Sequence, residues 1–184
     1  MKIIKTEIPG LVVIEPSVFE DDRGYFFETF HRDKYIDAGI KKPFIQDNES
    51  KSVRGVVRGL HYQLGEFAQA KLVRVVQGKV YDVVVDLREG SPTFGEWFGI
   101  ELSDTNKKPL FVPRGFAHGF SVLSETAIFT YKCDNLYNKD SERSINPFDK
   151  KLNIDWKLDD SEQIVSEKDK QALLFENAEM NFIF

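Results

Sequence analysis

The sequence holds one cysteine, Cys133, in 184 residues. That excludes an intrachain disulfide and any zinc site built from several cysteines, and nothing in the composition requires an oxidising compartment. An excess of positive charge is also missing. Lys and Arg number 25 against 30 Asp and Glu, for a formal net charge of -5 and a pI near 5.3, so no general attraction to nucleic acid or to an anionic membrane is expected. An anionic ligand has to be held by a few local cations. The opening residues, MKIIKTEIPG, carry no long apolar run, which argues against a signal peptide or membrane anchor there and leaves a soluble, cytoplasmic protein as the expectation. Repeats, low-complexity tracts and Ser/Gly/Pro linkers are absent as well. The length suits one hydrophobic core, so residues 1–184 are expected to form a single domain.

What is present is mostly a period of two. Segments such as LVVIEP, GYFFETF, KLVRVVQGKVYDVVVDL, WFGIEL, PLFVP and TAIFTYKC are rich in Val, Ile, Phe and Tyr and are bounded by Gly, Pro, Asp and Asn. This predicts an all-β sandwich or barrel. Two stretches break the pattern: HRDKYIDAGI, and SEQIVSEKDKQALLFENA, where Ile164, Val165 and the Ala172–Leu174 cluster predict short flanking helical turns.

One strand-like stretch, VVRGLHYQ (56–63), carries an arginine and a histidine. In a regular strand, alternation puts Val57, Gly59, His61 and Gln63 on one face and Arg58, Leu60 and Tyr62 on the other. Gly59 stands between the two polar residues, and a glycine within a strand often marks a bulge, which would turn Arg58 and His61 into one cavity. The plainer alternative is a surface arginine and a hydrogen-bonded core histidine. A second stretch, PRGFAHGF (113–120), has the form Pro-x-Gly-x-x-His and resembles the second signature of the cupin superfamily. Metal-binding cupins pair it with an earlier His-x-His, because a divalent ion needs three or four nitrogen and oxygen ligands at one point. Here the earlier segment reads His61-Tyr62-Gln63, and His31, the one remaining histidine, sits in a different kind of segment. A cupin-like barrel without metal is therefore expected.

The chain as a whole resembles the dTDP-4-dehydrorhamnose 3,5-epimerases, dTDP-sugar isomerases with a jelly-roll cupin fold. The resemblance runs through FEDDRGYFFETF (19–30), FIQDNESKS (44–52), VVRGLHYQ, KLVRVVQGKVYDVVVDLR (71–88), SPTFGEW (91–97), PRGFAHGF, YKCDNLYN (131–138) and VSEKD (165–169). The loop LGEFAQA (64–70) lacks an expected Pro, and the tail NAEMNFIF is longer and more apolar than usual. The resemblance implies an all-β double-stranded β-helix, a cupin-like jelly-roll barrel with short flanking helices. It also implies a homodimer without cofactor or metal, and a place in dTDP-L-rhamnose biosynthesis.

The implied chemistry needs a base on one face of a 4-keto-6-deoxyhexose, an acid on the other, and a cation at the enolate oxygen. The resemblance assigns these parts to His61 as base with Asp169 as its partner carboxylate, Tyr131 as acid, and Lys71 at the enolate with Arg58 beside it. For the thymidine diphosphate it implies Arg23, Glu28, Gln46, Asp47, Asn48, His118, Glu142 and Lys168, with Tyr137 as a platform for the base. Residue type alone leaves Lys71 an ordinary strand-edge lysine, Asp169 a helix-surface carboxylate, Tyr131 a core tyrosine and His118 a structural hydrogen-bond partner. The alternative on the same scaffold is a 3-epimerase or ketoisomerase acting on a related dTDP-4-keto-sugar, separable by proton exchange at C5. A non-catalytic sugar-nucleotide-binding module is disfavoured by the joint presence of His61, Asp169, Lys71 and Tyr131. A metal-dependent oxygenase is disfavoured by Gln63.

Overall fold

The computed structural model describes residues 1–184. In chain order its elements are β1 (Lys2–Lys5), β2 (Val12–Glu15), β3 (Phe19–Asp21), β4 (Gly24–Phe26), α1 (Arg32–Asp37), β5 (Gln46–Val53) and β6 (Val56–Gln63). There follow β7 (Lys71–Gln77), β8 (Lys79–Asp86), β9 (Arg88–Glu89), β10 (Trp97–Ser103), β11 (Leu110–Val112), β12 (Phe116–Val122), β13 (Thr126–Cys133) and β14 (Glu142–Ser144). The chain closes with β15 (Ile164–Val165), α2 (Glu167–Lys170) and β16 (Phe182–Ile183). Strands β1-β2-β11-β7-β13-β5 make one sheet and β10-β8-β12-β6-β14 a second, with β15 added parallel to β6. Phe129, Val73 and Val75 from the first sheet meet Val84, Phe120 and Val122 from the second to form the inner core. This is the all-β barrel that the period of two predicts. No helix is long and apolar enough to cross a membrane.

Strand β8 shows how the sequence sets the layers. Val80 and Val84 point to the inner core, while Val83 and Val85 point outward to a second core closed by Ile145, Leu152, Trp156 and Phe175. A strand buried on both faces reads as a continuous apolar run, and VYDVVVD does so except for its two aspartates. Both are fully buried and both are paired. Asp86 accepts hydrogen bonds from Arg88 Nε (2.8 Å) and Nη2 (2.7 Å), Ser91 Oγ (2.6 Å) and Thr93 Oγ1 (2.8 Å). Burial alone would raise its pKa, yet these donors hold it below the usual carboxylate value. Removing the carboxylate would strand a mostly buried guanidinium, so Asp86→Ala is expected to cost about 3–5 kcal/mol of stability. A urea unfolding midpoint equal to that of the unsubstituted chain would show that the network contributes nothing.

The flanking segments differ in part from expectation. HRDKYIDAGI does contain a helix, α1, whose Tyr35 packs with Ile14, Ile40 and Leu72 on the outer side of the first sheet. Ile164 and Val165, expected in a helical turn, form β15 instead. Two consecutive β-branched residues are stiff in a helix, and here their backbone is claimed by Val56 and Val57 of β6. The helix lies immediately afterwards, with Ser166 Oγ accepting from the Asp169 N–H at 3.1 Å. Leu173 forms a bridge to Ile145 rather than joining a helix. The apolar tail lies across the second sheet: Tyr62 Oη donates to the Glu179 carbonyl (2.7 Å), and Phe182 pairs with Arg88.

Candidate active site

At one end of the barrel the two sheets part around a cavity of about 260 Å³ lined by Gln46, Asn48, His61, Tyr62, Gln63, Gln69, Lys71, Tyr131, Tyr137 and Glu142. Register places the contributors. Gln46, Cys133 and Lys71 lie abreast on β5, β13 and β7, as do Asn48, Tyr131 and Val73 one step further in. From the second sheet, His61 lies opposite His118 on β12 and Ser144 on β14, and Gln63 lies opposite Glu142.

The bulge at Gly59 is present. His118 faces His61 and Phe120 faces Arg58, so two residues of β6 oppose one of β12. Val57, Leu60 and Tyr62 consequently turn to the outer core, and Arg58 and His61 share the inner side. Only glycine fits the crossing: Gly59 has φ +129°, and a Cβ there would lie 2.5 Å from the Gly119 Cα. Arg58 nevertheless stays exposed and, unlike His61, is not among the residues lining the cavity, its Nε donating to Ser52 Oγ at 3.0 Å.

His61 is held by Asp169. Nε2 lies 2.7 Å from Oδ1 of a carboxylate that is 4% exposed, and the other oxygen accepts the Gly59 N–H at 3.5 Å. Burial works to raise the Asp169 pKa, but the His61 ring, the Gly59 N–H and Ser166 together keep it below its usual value. The group is an anion at neutral pH, able to fix the ring's tautomer and to stabilise its protonated form. Lys71 is lowered too, but at the expense of its charged form: burial lowers its pKa, and Cys133, Asp82 and Glu142 resist. Tyr131 is raised by burial and by Cys133, against the Arg58 charge, and its ring lies 5.9 Å from Lys71 Nζ. Cys133 itself is pushed up to about 11 by burial, so it remains a neutral thiol.

The nucleotide-side positions divide. Tyr137 is exposed at the rim, its Oη donating to Glu142 Oε2 (3.2 Å) and its N–H to Gln46 Oε1 (2.8 Å). Lys168 Nζ lies 2.5 Å from the same Glu142 oxygen. Asp47 points the other way, onto the outer face of the first sheet, where it pairs with Lys132 at 2.8 Å. It lines a larger hollow of about 430 Å³ that includes neither His61 nor Lys71. Arg23 sits at the tip of the exposed β3–β4 hairpin, paired only with Asp21, and Glu28 pairs with Lys34, both outside the cavity. His118, expected to face the cavity, is not among its lining residues. It lies 7% exposed beneath, with Nε2 2.9 Å from Oδ2 of fully buried Asp82. Burial raises the Asp82 pKa and His118 opposes the rise. Asp82 was legible only as a charge inside a valine run. The Gln63 amide is engaged in backbone hydrogen bonds through both its nitrogen and its oxygen.

Two facing sheets with a histidine–aspartate pair, a phenol and an ammonium at one open end define a cupin-type barrel equipped for proton transfer. A family model described as dTDP-4-dehydrorhamnose 3,5-epimerase matches residues 5–177. The dTDP-4-dehydrorhamnose 3,5-epimerase of Shigella flexneri is 51% identical over 180 residues, 97% of this chain and 98% of that protein. The crystal structure of the enzyme of that name from Elizabethkingia anophelis NUHP1 superposes with a TM-score of 0.93 at 55% identity, over 96% of this chain and 97% of that one. A 3,5-epimerase from Legionella pneumophila Philadelphia 1, solved in complex with dTDP-4-keto-L-rhamnose, superposes at 0.92 with 48% identity, over 96% and 93%. The chain belongs to the dTDP-4-dehydrorhamnose 3,5-epimerase family of isomerases.

Proposed function

We propose that the chain inverts C3 and C5 of dTDP-4-dehydro-6-deoxy-D-glucose to give dTDP-4-dehydro-L-rhamnose, and that it does so by two-sided proton transfer. The observation that carries the reading is the placement of His61 on the second sheet and Tyr131 on the first, lining one cavity together with Lys71 of β7, the strand next to Tyr131's β13. His61 removes the proton alpha to the ketone, the electrons move to O4, and the Lys71 ammonium stabilises the resulting enolate, with Arg58 adding charge. Tyr131 then protonates the carbon from the opposite face and regains its proton from solvent, while His61 releases the proton it took to solvent. The same steps at the second carbon complete the reaction. Incubation with the substrate in D₂O tests this: one deuterium at C3 and one at C5 are expected. Label at C3 alone would make the chain a 3-epimerase.

Around the nucleotide, Tyr137 stacks on thymine, Gln46, Asn48 and Glu142 supply polar contacts, and Lys168 meets the diphosphate. His118 acts from beneath the floor. Arg23 and Glu28 serve the site of a second copy. The six residues of β3 and β4 are all exposed, with Phe19 at 66% and Phe26 at 68%, and an isolated two-stranded hairpin is marginal in water. β5, which borders the site, is an eight-residue edge strand. These features support a homodimer in which each hairpin delivers Arg23 to its partner's diphosphate. Arg23→Ala and His61→Ala chains, each inactive alone, should then recover activity when mixed, since each mixed dimer holds one intact site. No recovery, or a stable monomer in sedimentation at micromolar concentration, would reject the arrangement.

The reaction needs no metal, because every step is a proton transfer that side chains perform. Activity is therefore expected to survive exhaustive chelation, and a loss restored by one added metal would overturn this. The same reading carries the cytoplasmic location expected from the sequence.

A further inference from the structure

Gln63 lines the cavity wall, yet it offers the cavity no amide hydrogen. The residue is 5% exposed, and Nε2 donates to the Phe67 carbonyl (2.7 Å) and the Leu136 carbonyl (3.2 Å), while Oε1 accepts the Asn138 N–H (2.7 Å). One buried amide thus grips the backbone on either side of Tyr137 and ties it to the 65–67 turn. Gln46 holds the residue between, through the Tyr137 N–H. The rest of the segment is pinned further away: Gln69 Nε2 donates to the Asn135 carbonyl (2.8 Å), and the Ala70 N–H to Asp134 Oδ1 (2.7 Å). Tyr137 itself stands exposed, so its own packing does little to orient it.

We propose that Gln63 is a positioning residue for the nucleotide end of the site, holding residues 136–138 so that the Tyr137 ring is already presented before ligand arrives. This rests on the reading of Tyr137 as the thymine platform. A platform fixed in advance binds more tightly because ligand need not order it, and Gln63 does so from β6, two residues from His61. Gln63→Met keeps the length and shape of the side chain and removes all three hydrogen bonds. By calorimetry it is expected to weaken dTDP binding about tenfold and to raise KM by the same factor, with kcat within twofold. In a Tyr137→Ala background it should add no further loss. A fall in kcat at unchanged KM, unaltered dTDP affinity, or losses that multiply with Tyr137→Ala would each overturn the proposal. Should Gln63→Met fail to fold, Gln63→Glu, which keeps the acceptor for Asn138, is read by the same criteria. Tyr137→Ala alone decides the platform reading. Amide hydrogen exchange over 134–138 in Gln63→Met decides the latch separately, with faster exchange expected and unchanged exchange rejecting it.

Discussion

His61→Ala will leave both C3 and C5 of the sugar without deuterium when the reaction is run in D₂O, and turnover will fall by about 1,000-fold or more. The size follows from what the imidazole does. No other group of suitable basicity faces the substrate from the second sheet, since Gln63 is an amide and Glu142 is held below its usual pKa by Lys168, His61 and Tyr137 against the effect of burial. A carboxylate so stabilised is a poor acceptor of a carbon-bound proton. Asp169→Asn should fall short of the same loss, about 100-fold, because an amide at 2.7 Å can still touch the ring but does not stabilise its charged form. The pH dependence has a definite sign. Asp169 has a folded pKa below its usual 3.8, so its contribution to stability is fully present above that value and is lost as pH falls through the lower, folded one. Detachment of α2 from β6 is therefore expected only in strong acid, below about pH 3.8. Near-normal deuterium uptake by His61→Ala would remove it from the mechanism.

How much of this could be read from the sequence depends on what kind of signal each residue carried. The barrel was legible because β7, β8 and β13 are rich in β-branched and aromatic residues over seven or eight positions. The Gly59 bulge was legible because a glycine separated two polar residues that one cavity needed on one face. β5 was nearly silent. Its residues, QDNESKSV, are polar apart from Val53, so alternation gave no inward or outward sign. The resemblance puts all of QDN at one site, although a strand turns its middle residue to the opposite face and Asp47 meets Lys132 there. β15 failed for a different reason: a two-residue strand exists only through its partner, and nothing local in Ile164–Val165 announces β6. Arg23 matched by motif, but no single chain brings it to the cavity. Gln63 was read for what it could not do as a metal ligand, while its hydrogen bonds span 4 and 75 positions along the chain and were invisible.

Tyr131→Phe separates the two halves of the reaction, and its outcome differs in kind from that of His61→Ala. The variant keeps the base and the ammonium, so the C–H bond still breaks and the enolate still forms. What it loses is the proton donor on the first sheet. Reprotonation then comes from the face that the proton left, through His61, which can exchange its proton with solvent. Deuterium should enter with configuration retained, while inversion falls by about 100-fold to 1,000-fold. The phenol suits the role because burial raises its pKa above 10.0, keeping it protonated at neutral pH and quick to recover its proton once spent. Lys71 is displaced oppositely, below 10.5, so burial favours loss of the ammonium charge as pH rises while it opposes ionisation of the phenol. The alkaline limb of the exchange reaction should therefore persist in Tyr131→Phe, and it should be lost with Lys71→Met together with most of the exchange itself. NMR of the product sugar formed in D₂O reads label and configuration at each carbon together. Equal rates of inversion in Tyr131→Phe and the unsubstituted chain would mean that the second proton comes from elsewhere, and the two-sided assignment would fail at that step.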